Sequence, residues 1–284
     1  MSASPALDSD RWNARLALSF ARRGLRTSLA RNEHRGPLVV QKALYPEGEA
    51  VCQAVILHPP GGIAGGDHLA IEIDAASAAF AQLTTPGATK WYKANGRMAS
   101  QTVQIVIEDG AVVEWFPLES IVFDGAVATS SLVVDAHGGA AAVGWDITAF
   151  GRTAAGERYQ RGRYRQSIEL RRDGNLVWAE TSAVEGDDPM FRSAVGFDDY
   201  SVSGLLWAML PVDADDATIE RCRDVRGVNG TLLHGVTSLP DGVVLARCLA
   251  GSTEQARTWL AQVWSSLRPL YASRVAVAPR LWMT

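Results

Sequence analysis

The feature that most constrains the fold is a repeated alternation of apolar and polar residues in short segments. Leu16, Leu18 and Phe20 alternate with polar or small residues, and a period of two is typical of a strand with one buried face. Such segments recur roughly every ten residues, with turn residues between them. This spacing predicts a mainly β protein and disfavours a chain of alternating strands and helices.

We predict strands wherever this alternation or a short apolar run occurs. They cover residues 12–20, 27–29, 38–45, 51–57, 69–73, 103–107, 112–116, 132–135, 141–147, 164–170, 176–181 and 243–249. The dipeptide Asp109-Gly110 lies between two of these segments and predicts a β-hairpin. A turn around Gly24 and a tight turn at 172–175 are also expected.

Two helices are predicted late in the chain. Residues 213–225 begin with acids and end with arginines, which suits the helix dipole. Ser252 and Gln255 have capping-box spacing. The apolar residues behind them recur at helical spacing, and Pro269 marks the expected end. We therefore predict one domain over 1–284, β-rich in 10–210 and helix-containing in 211–284, with both helices packed on the β scaffold.

Composition favours a soluble globular protein. Of 284 residues, 47% are hydrophobic and 20% charged, and the formal net charge is -4, so no nucleic-acid footprint is expected. The N-terminus does not resemble a signal peptide, and no run suits a membrane helix, which favours the cytoplasm and no membrane partner. The three cysteines lack C-x-x-C spacing and are expected to be reduced and mostly buried.

The most unusual segment runs from His58 to His68. Gly61 and Gly66 have the glycine spacing of a phosphate-binding loop, but Asp67 and His68 replace its Lys and Ser/Thr, so we reject that interpretation. His58, Asp67 and His68 are also candidate metal ligands. A tight turn whose polar ends cap backbone groups is the favoured alternative.

A second group of acids, Glu114, Glu119 and Asp124, lies among large apolar residues. A carboxylate drawn inward would mark an ion pair or a polar pathway, whereas the alternative is solvated acids on a strand face and a turn. Glu114 and Glu119 could also form the carboxylate pair of a hydrolase. Their spacing places them on opposite faces of a regular strand, and Pro117 makes regularity doubtful.

Other patterns favour no catalytic class. The arginine-rich run over 152–165 fits a solvated strand face or the rim of a protein interface. No G-x-S-x-G or H-E-x-x-H motif occurs, and His34, His137 and His234 are isolated.

Several segments, taken in order, resemble the UreD (UreH) family of urease accessory proteins. The combination of 58–67 (HPPGGIAGGD) and 84–90 (TTPGATK) is the most specific part, supported by 34–41, 45–48, 114–119, 123–126, 151–152 and 161–163. Leu118 departs from the family, which often has Gln there. The matching motif positions are His58, Gly61, Gly62, Gly65, Gly66, Thr85, Pro86, Gly87, Lys90 and Arg152.

The resemblance implies a superhelix-like β scaffold with C-terminal helices that is not an enzyme. It implies assembly with UreF, with the GTPase and nickel carrier UreG, and with apo-urease. It also implies an internal passage for nickel in transit, with no tightly bound cofactor. We hypothesise that Asp67, Glu114, Glu119 and Asp124 line this passage. The alternatives are a carboxylate-pair hydrolase on a β scaffold and a purely structural interaction module.

Overall fold

The computed structural model describes residues 12–227 and 232–283, and β-strands dominate these ranges. The strands are β1 (Asn13–Arg23), β2 (Arg26–Arg35), β3 (Val39–Leu44), β4 (Cys52–Leu57), β5 (His68–Ala75), β6 (Phe80–Thr84), β7 (Thr89–Trp91), β8 (Ala99–Ile107), β9 (Val112–Phe116), β10 (Ser120–Val122), β11 (Val127–Ala136), β12 (Ala141–Phe150), β13 (Arg163–Arg172), β14 (Asn175–Glu185), β15 (Val202–Met209), β16 (Leu232–Leu239) and β17 (Val243–Ala250). The α-helices are α1 (Asp216–Arg223) and α2 (Thr253–Ala272), and short 3-10 turns occupy Thr153–Ala155, Pro189–Arg192 and Arg280–Met283.

The strands form two sheets that face each other. The first sheet has the order β14-β13-β11-β8-β5-β1-β2. The second has the order β16-β17-β15-β12-β9-β6-β4-β3, with β10 joining β12 to β7.

The central part of the chain winds as a superhelix, because successive strands alternate between the two sheets. The path runs from β4 to β5, β6, β8, β9, β11, β12 and β13, and each strand pairs in parallel with its counterpart one coil away. Parallel neighbours need a long crossover, usually a helix. Here the crossover is a strand of the opposite sheet, which confirms the predicted mainly β, superhelix-like scaffold.

Antiparallel strands close both ends of the superhelix. The predicted turns at Gly24 and at Asp173-Gly174 are confirmed as the β1–β2 and β13–β14 hairpins. The hairpin predicted at Asp109-Gly110 is wrong. A turn does form there, with Gly110 at φ 69°, but it connects β8 in the first sheet to β9 in the second. A turn dipeptide such as Asp109-Gly110 determines where the chain bends. It does not determine with which strands the segments on either side of it pair.

Both predicted helices exist with corrected ends. Helix α1 is shorter than the predicted 213–225, because Asp215 and not an earlier acid caps its N-terminus, accepting from Thr218 N–H at 2.7 Å. Ser252 caps α2 as expected. The helix does not end at Pro269. It continues to Ala272, since a single proline removes one backbone donor, and Ser273 in the left-handed conformation then ends it.

Five strands were not predicted, namely β6, β7, β10, β15 and β16. The reasons differ. Strands β7 and β10 have three residues each, too few to show a period. Strand β15 is buried on both faces and lacks alternation.

Two apolar cores flank the second sheet. One lies between the sheets and includes Leu16, Ile71 and Trp115. The other lies between the outer face of the second sheet and α2, and includes Trp145 and Trp264. In β9, β12, β15 and β17, residues on opposite faces of the strand therefore belong to different cores.

A buried guanidinium fixes α2 on the second sheet. The side chain of Arg268 is 0% exposed, and its Nη1 lies 2.7 Å from Glu47 Oε2, while its Nε lies 2.9 Å from Glu114 Oε1. Burial alone would lower the pKa of Arg268, but the hydrogen bonds and charges of the two carboxylates outweigh it and raise the pKa. The helix is thus held by a charged cluster as well as by apolar contact.

Replacing Arg268 with Met should destabilise the protein by about 3–5 kcal/mol, because two carboxylates then stay buried without their cation. Urea unfolding followed by circular dichroism would measure the loss. The control is Arg192→Met, whose ion pair with Asp187 is 63% and 64% exposed. It should cost only about 0–1 kcal/mol. Equal losses in the two variants would show that the buried cluster contributes nothing specific.

Candidate functional site

The segment 58–67, here called the first loop, is a tight turn held by its own aspartate. Asp67 is 6% exposed. One carboxylate oxygen accepts from Trp12 N–H at 3.0 Å and the other from Ala64 N–H at 2.9 Å. The turn interpretation of this segment is therefore confirmed. The metal role hypothesised for Asp67 stays a prediction.

The glycines of the first loop are required for two reasons. Gly61 and Gly66 have φ of 73° and 98°, a region that side chains disfavour. At Gly62 a Cβ would lie 2.4 Å from the Tyr92 ring, and at Gly65 it would lie 2.7 Å from the carbonyl oxygen of Arg97. The loop thus packs closely against 92–97.

Residues 85–90, the second loop, begin in an interruption of the second sheet. Strand β6 stops at Thr84 and β7 resumes at Thr89, and in the next coil β9 stops at Phe116 and β10 resumes at Ser120. Thr85 Oγ1 joins the two interruptions, because it accepts from Leu118 N–H at 2.9 Å. The gaps therefore lie side by side in the sheet.

A cavity of about 270 Å³ lies between the sheets at this point, lined by both loops. Apolar residues, including Ile56, Ile71 and Trp115, form most of its wall. Its polar lining comes from His58, Thr85, Thr89, Lys90 and Gln101. Pro86 and Gly87 border it and are exposed, so they mark its opening to solvent.

His58 is the only histidine in the wall of this cavity. Its Nε2 is buried and makes no hydrogen bond within the described part of the protein. Burial lowers the pKa of His58, although the charge of Asp67 acts in the opposite direction. The imidazole is therefore mainly neutral at physiological pH.

A smaller cavity of about 30 Å³ lies deeper between the sheets and is lined by Asp146. Asp146 is partly buried and lines this cavity. Burial raises the pKa of Asp146, while hydrogen bonds from Gln166 and Thr148 act against that shift. The second cavity thus holds an acid that neither sequence motif indicated.

Hydroxyl and amide groups surround Asp146. Thr148 Oγ1 donates to its carboxylate at 3.0 Å, and Gln101, Ser120 and Ser130 line the same cavity. Nearby, the buried Tyr164 hydroxyl lies within reach of the hydroxyl groups of Ser120, Ser130 and Thr148. Burial, followed by the charge of Asp146, raises the pKa of Tyr164, so its hydroxyl stays protonated.

Glu114 lies outside this interior, on the opposite face of the second sheet beneath α2. It is 0% exposed. Its carboxylate accepts hydrogen bonds from Gln82, Trp264, Arg268 and Tyr271. Burial, then the adjacent charge and hydrogen bond of Glu114, raise the pKa of Tyr271 well above its ordinary value. Glu114 is thus a satisfied ion-pair partner, and its role in transit stays a prediction.

Glu119 and Asp124 each have an arginine partner. Glu119 Oε2 lies 3.0 Å from Arg257 Nη1 of α2. Asp124 Oδ2 lies 2.5 Å from Arg161 Nη2, and its Oδ1 accepts from the backbone N–H groups of Gln160 and Arg161. Burial would raise the pKa of Asp124, but these hydrogen bonds lower it overall.

Arg152 and the arginine-rich run lie on the surface. The Arg152 guanidinium pairs with Glu157 at 2.6 Å and stacks 4.5 Å from the centroid of the Phe123 ring. Arg158, Arg163 and Arg165 are exposed, as the prediction of a solvated strand face requires.

The geometry does not assemble a hydrolytic carboxylate pair from Glu114 and Glu119. Protein donors occupy both oxygens of Glu114, and Glu119 is bound to an arginine. Within 12–227 and 232–283, no three His, Cys, Asp or Glu side chains converge as a metal site. The cysteines are buried and free, as expected, and burial raises the pKa of Cys222 to about 11. None of the helices described is long and apolar enough to cross a membrane.

The fold and its polar interior define a β-superhelical scaffold, and comparison with known proteins identifies its family. The family described as UreD urease accessory protein matches residues 13–283. Urease accessory protein UreD of Dechloromonas aromatica (strain RCB) is 49% identical over 278 residues, covering 97% of this chain and 96% of that protein. The corresponding protein of Azoarcus sp. (strain BH72) is 46% identical over 274 residues, covering 96% and 94%. The chain therefore belongs to the UreD family of urease accessory proteins, which confirms the resemblance.

Gly65→Ala should destabilise the protein by about 1–3 kcal/mol, because backbone and not a movable side chain blocks the new methyl group. Gly87→Ala is the control, since nothing lies within 4 Å of the position that its Cβ would take and its φ is not positive. That variant should stay within about 0.5 kcal/mol of wild type. Thermal or urea unfolding of both variants tests whether the first loop packs this closely at Gly65. Equal stability of the two would contradict the close packing of the first loop.

His58 should make stability depend on pH in a definite direction. Its folded pKa lies below its ordinary value of 6.5, so the unfolded chain binds more protons near that pH. Stability is then fully present above about pH 6.5 and falls as pH drops through the folded pKa. Urea titrations of wild type and His58→Gln should show a wild-type advantage that grows from about pH 5 to pH 7. A stability difference between wild type and His58→Gln that does not change with pH would contradict the burial of the His58 imidazole.

Proposed function

We propose that this chain is a non-catalytic scaffold that passes nickel to urease during its maturation. In this proposal it links UreF and UreG to apo-urease in the cytoplasm, and Ni²⁺ moves through the space between the two sheets. The observation that carries the proposal is the enclosed, oxygen-lined compartment around Asp146. Membership of the UreD family of urease accessory proteins gives the biological setting.

Two neighbouring cavities support a route through the space between the sheets. Thr89, Gln101, Trp115 and Pro117 line both of them, so the larger cavity at the loops adjoins the smaller one at Asp146. An ion entering beside Pro86 would pass the sheet interruption before it reaches the carboxyl group. The breaks between β6 and β7 and between β9 and β10 leave backbone that is not paired as strands beside this route.

The chemistry of the lining suits transit and not storage. The groups around Asp146 are carboxylate, hydroxyl and amide oxygens, which bind nickel more weakly than thiolates or imidazoles do. A conducted ion must be bound well enough to enter and weakly enough to leave.

Asp146 takes the central role that the sequence hypothesis gave to other acids. Asp67, Glu114, Glu119 and Asp124 already have backbone or arginine partners. An ion could bind them only by displacing those partners. Asp146 has no cationic partner among the described residues, so a passing divalent ion would supply the missing positive charge.

A purely structural interaction module is the second candidate. The ion pairs of Glu114, Glu119 and Asp124 favour it, because they give these acids a role in stability without nickel. The two candidates differ in what they require of Asp146. A module needs only a folded surface, whereas a passage needs this carboxyl group to release its proton and bind the ion.

Asp146→Asn tests the passage, because the amide keeps the size of the carboxyl group and cannot ionise to bind a cation. In cells lacking the native protein, at limiting nickel, this variant should activate urease about tenfold less than wild type while still binding its partners in a pull-down. Glu119→Gln is the matched control. Its amide can still accept from Arg257 at the outer face, so activation should be near normal.

The outcomes separate the two candidates. Normal activation by Asp146→Asn would contradict the passage and favour the structural module. Failure of Glu119→Gln with normal partner binding would move the route to the α2 side of the sheet. A wild-type chain that neither binds the partners nor activates urease would contradict the proposed function altogether.

A further inference from the structure

One polar side chain of the first sheet lies where the two cavities between the sheets meet. Inward-facing residues of β8, such as Val103 and Ile105, are buried in the apolar core between the sheets. Gln101 belongs to the same face of this strand, because side chains alternate along it. It is half-buried and lines both the larger and the smaller cavity. A cation that moves from one cavity to the other therefore passes this amide.

The register of the first sheet makes Gln101 the start of a polar row. In the neighbouring coils it pairs with Leu69 on one side and with Ser130 on the other. Leu69 belongs to the apolar wall of the larger cavity, whereas Ser130 lines the smaller cavity. The next residue of the row is Gln166, which hydrogen-bonds to Asp146. The row thus changes from apolar to polar at Gln101, on the side that leads to the Asp146 carboxyl group.

The amide of Gln101 is available to a group in the cavities. Two other buried glutamines, Gln53 and Gln82, have amides that donate hydrogen bonds of 2.7 and 2.8 Å on the outer face of the second sheet. Within 12–227 and 232–283, the Gln101 amide makes no such bond. A polar group in a protein interior normally has a partner, so the carbonyl oxygen of this amide is left to water or to an ion in the cavity.

A neutral oxygen at this position suits the transfer of a divalent cation. The wall of the larger cavity is mostly apolar, so an ion there has few ligands that can replace lost water. An amide oxygen can replace one water molecule without adding a charge. A carboxylate would hold the ion more tightly, since affinity rises with the charge of the ligands. An ion that is held tightly leaves slowly, which is unfavourable for conduction.

We propose that the side-chain oxygen of Gln101 is a transient ligand that hands Ni²⁺ from the larger cavity to the compartment of Asp146. The inference rests on the proposed function and adds to it the residue that controls the rate of transit. Glutamine has the two properties that this step needs, a ligand atom and no charge. Leucine at the same position would lack the ligand, and glutamate would retain the ion.

The chain offers a matched control on the same strand. Gln104 lies three residues further along β8 and is exposed, so its side chain points away from both cavities. Gln101→Glu and Gln101→Leu are therefore compared with Gln104→Glu and Gln104→Leu. Gln101→Glu keeps the size of the side chain, and Gln101→Leu suits the apolar neighbours. Circular dichroism shows which variants are folded, and either folded Gln101 variant tests the proposal.

Nickel binding can be measured with 5-fluorotryptophan-labelled protein, because Ni²⁺ is paramagnetic and broadens nearby fluorine resonances. Trp115 lines both cavities. Trp259, 0% exposed between α2 and the second sheet, is the internal control. Gln101→Glu should lower the Ni²⁺ concentration that broadens the Trp115 resonance by about tenfold, and Gln101→Leu should raise it. Both Gln104 variants should match wild type.

Urease activation supplies the second measurement. In cells that lack the native protein, at limiting nickel, both Gln101 variants should activate urease about tenfold less than wild type. Both Gln104 variants should activate it normally. Tighter nickel binding together with slower delivery in Gln101→Glu is the signature of a transfer ligand, because loss of a merely structural contact would not raise the affinity for nickel.

The outcomes distinguish failure of this inference from failure of the passage. If Ni²⁺ broadens Trp115 at the same concentration in wild type and both Gln101 variants, the amide does not contact the ion, and the role of Gln101 is overturned while the passage stands. Normal activation by both Gln101 variants would overturn that role as well. If Trp115 broadens in no variant, whether alone or with co-expressed urease accessory proteins and apo-urease, the proposed passage itself is wrong.

Discussion

In-register parallel pairing between successive coils is the constraint on which the rest of this structure depends. Each strand of the superhelix pairs with the strand one coil before it, so an irregularity in one coil must be matched in the next or leave backbone groups unpaired. The gap after Thr84 is matched by the gap after Phe116, and Thr85 bonds across the two. The larger cavity lies beside these gaps, since residues of both gaps line it.

The sequence predicted the parts of the fold that depend on local pattern. Period-two segments and short apolar runs identified twelve of the seventeen strands in the described residues, and terminal charges and a capping box identified the two helices found there. It did not predict which strands pair, because Asp109-Gly110 specifies a bend whether its flanks form a hairpin or enter different sheets. Strand β15 was missed because burial on both faces removes the alternation that reveals a strand.

In the candidate site, too, the sequence predicted local features but not which side chains come together. The glycine motifs drew attention to both loops, and the loops do line the larger cavity. Predicting which acids line a cavity was harder. Glu114 and Asp146 belong to neighbouring strands, yet they face opposite sides of one sheet. Sequence spacing does not reveal which of these sides a helix covers. The one available signal for Asp146 was its place in the apolar segment 141–147, where an acid is costly.

The Arg268 cluster also sets an order of events during synthesis. Glu47 and Glu114 leave the ribosome long before Arg268, which lies near the C-terminus. Until that arginine and its helix arrive, the nascent second sheet presents two acids amid an apolar surface that has no cover. The outer face of this sheet is therefore buried only after α2 has been synthesised, which is later than the coils on which the helix packs.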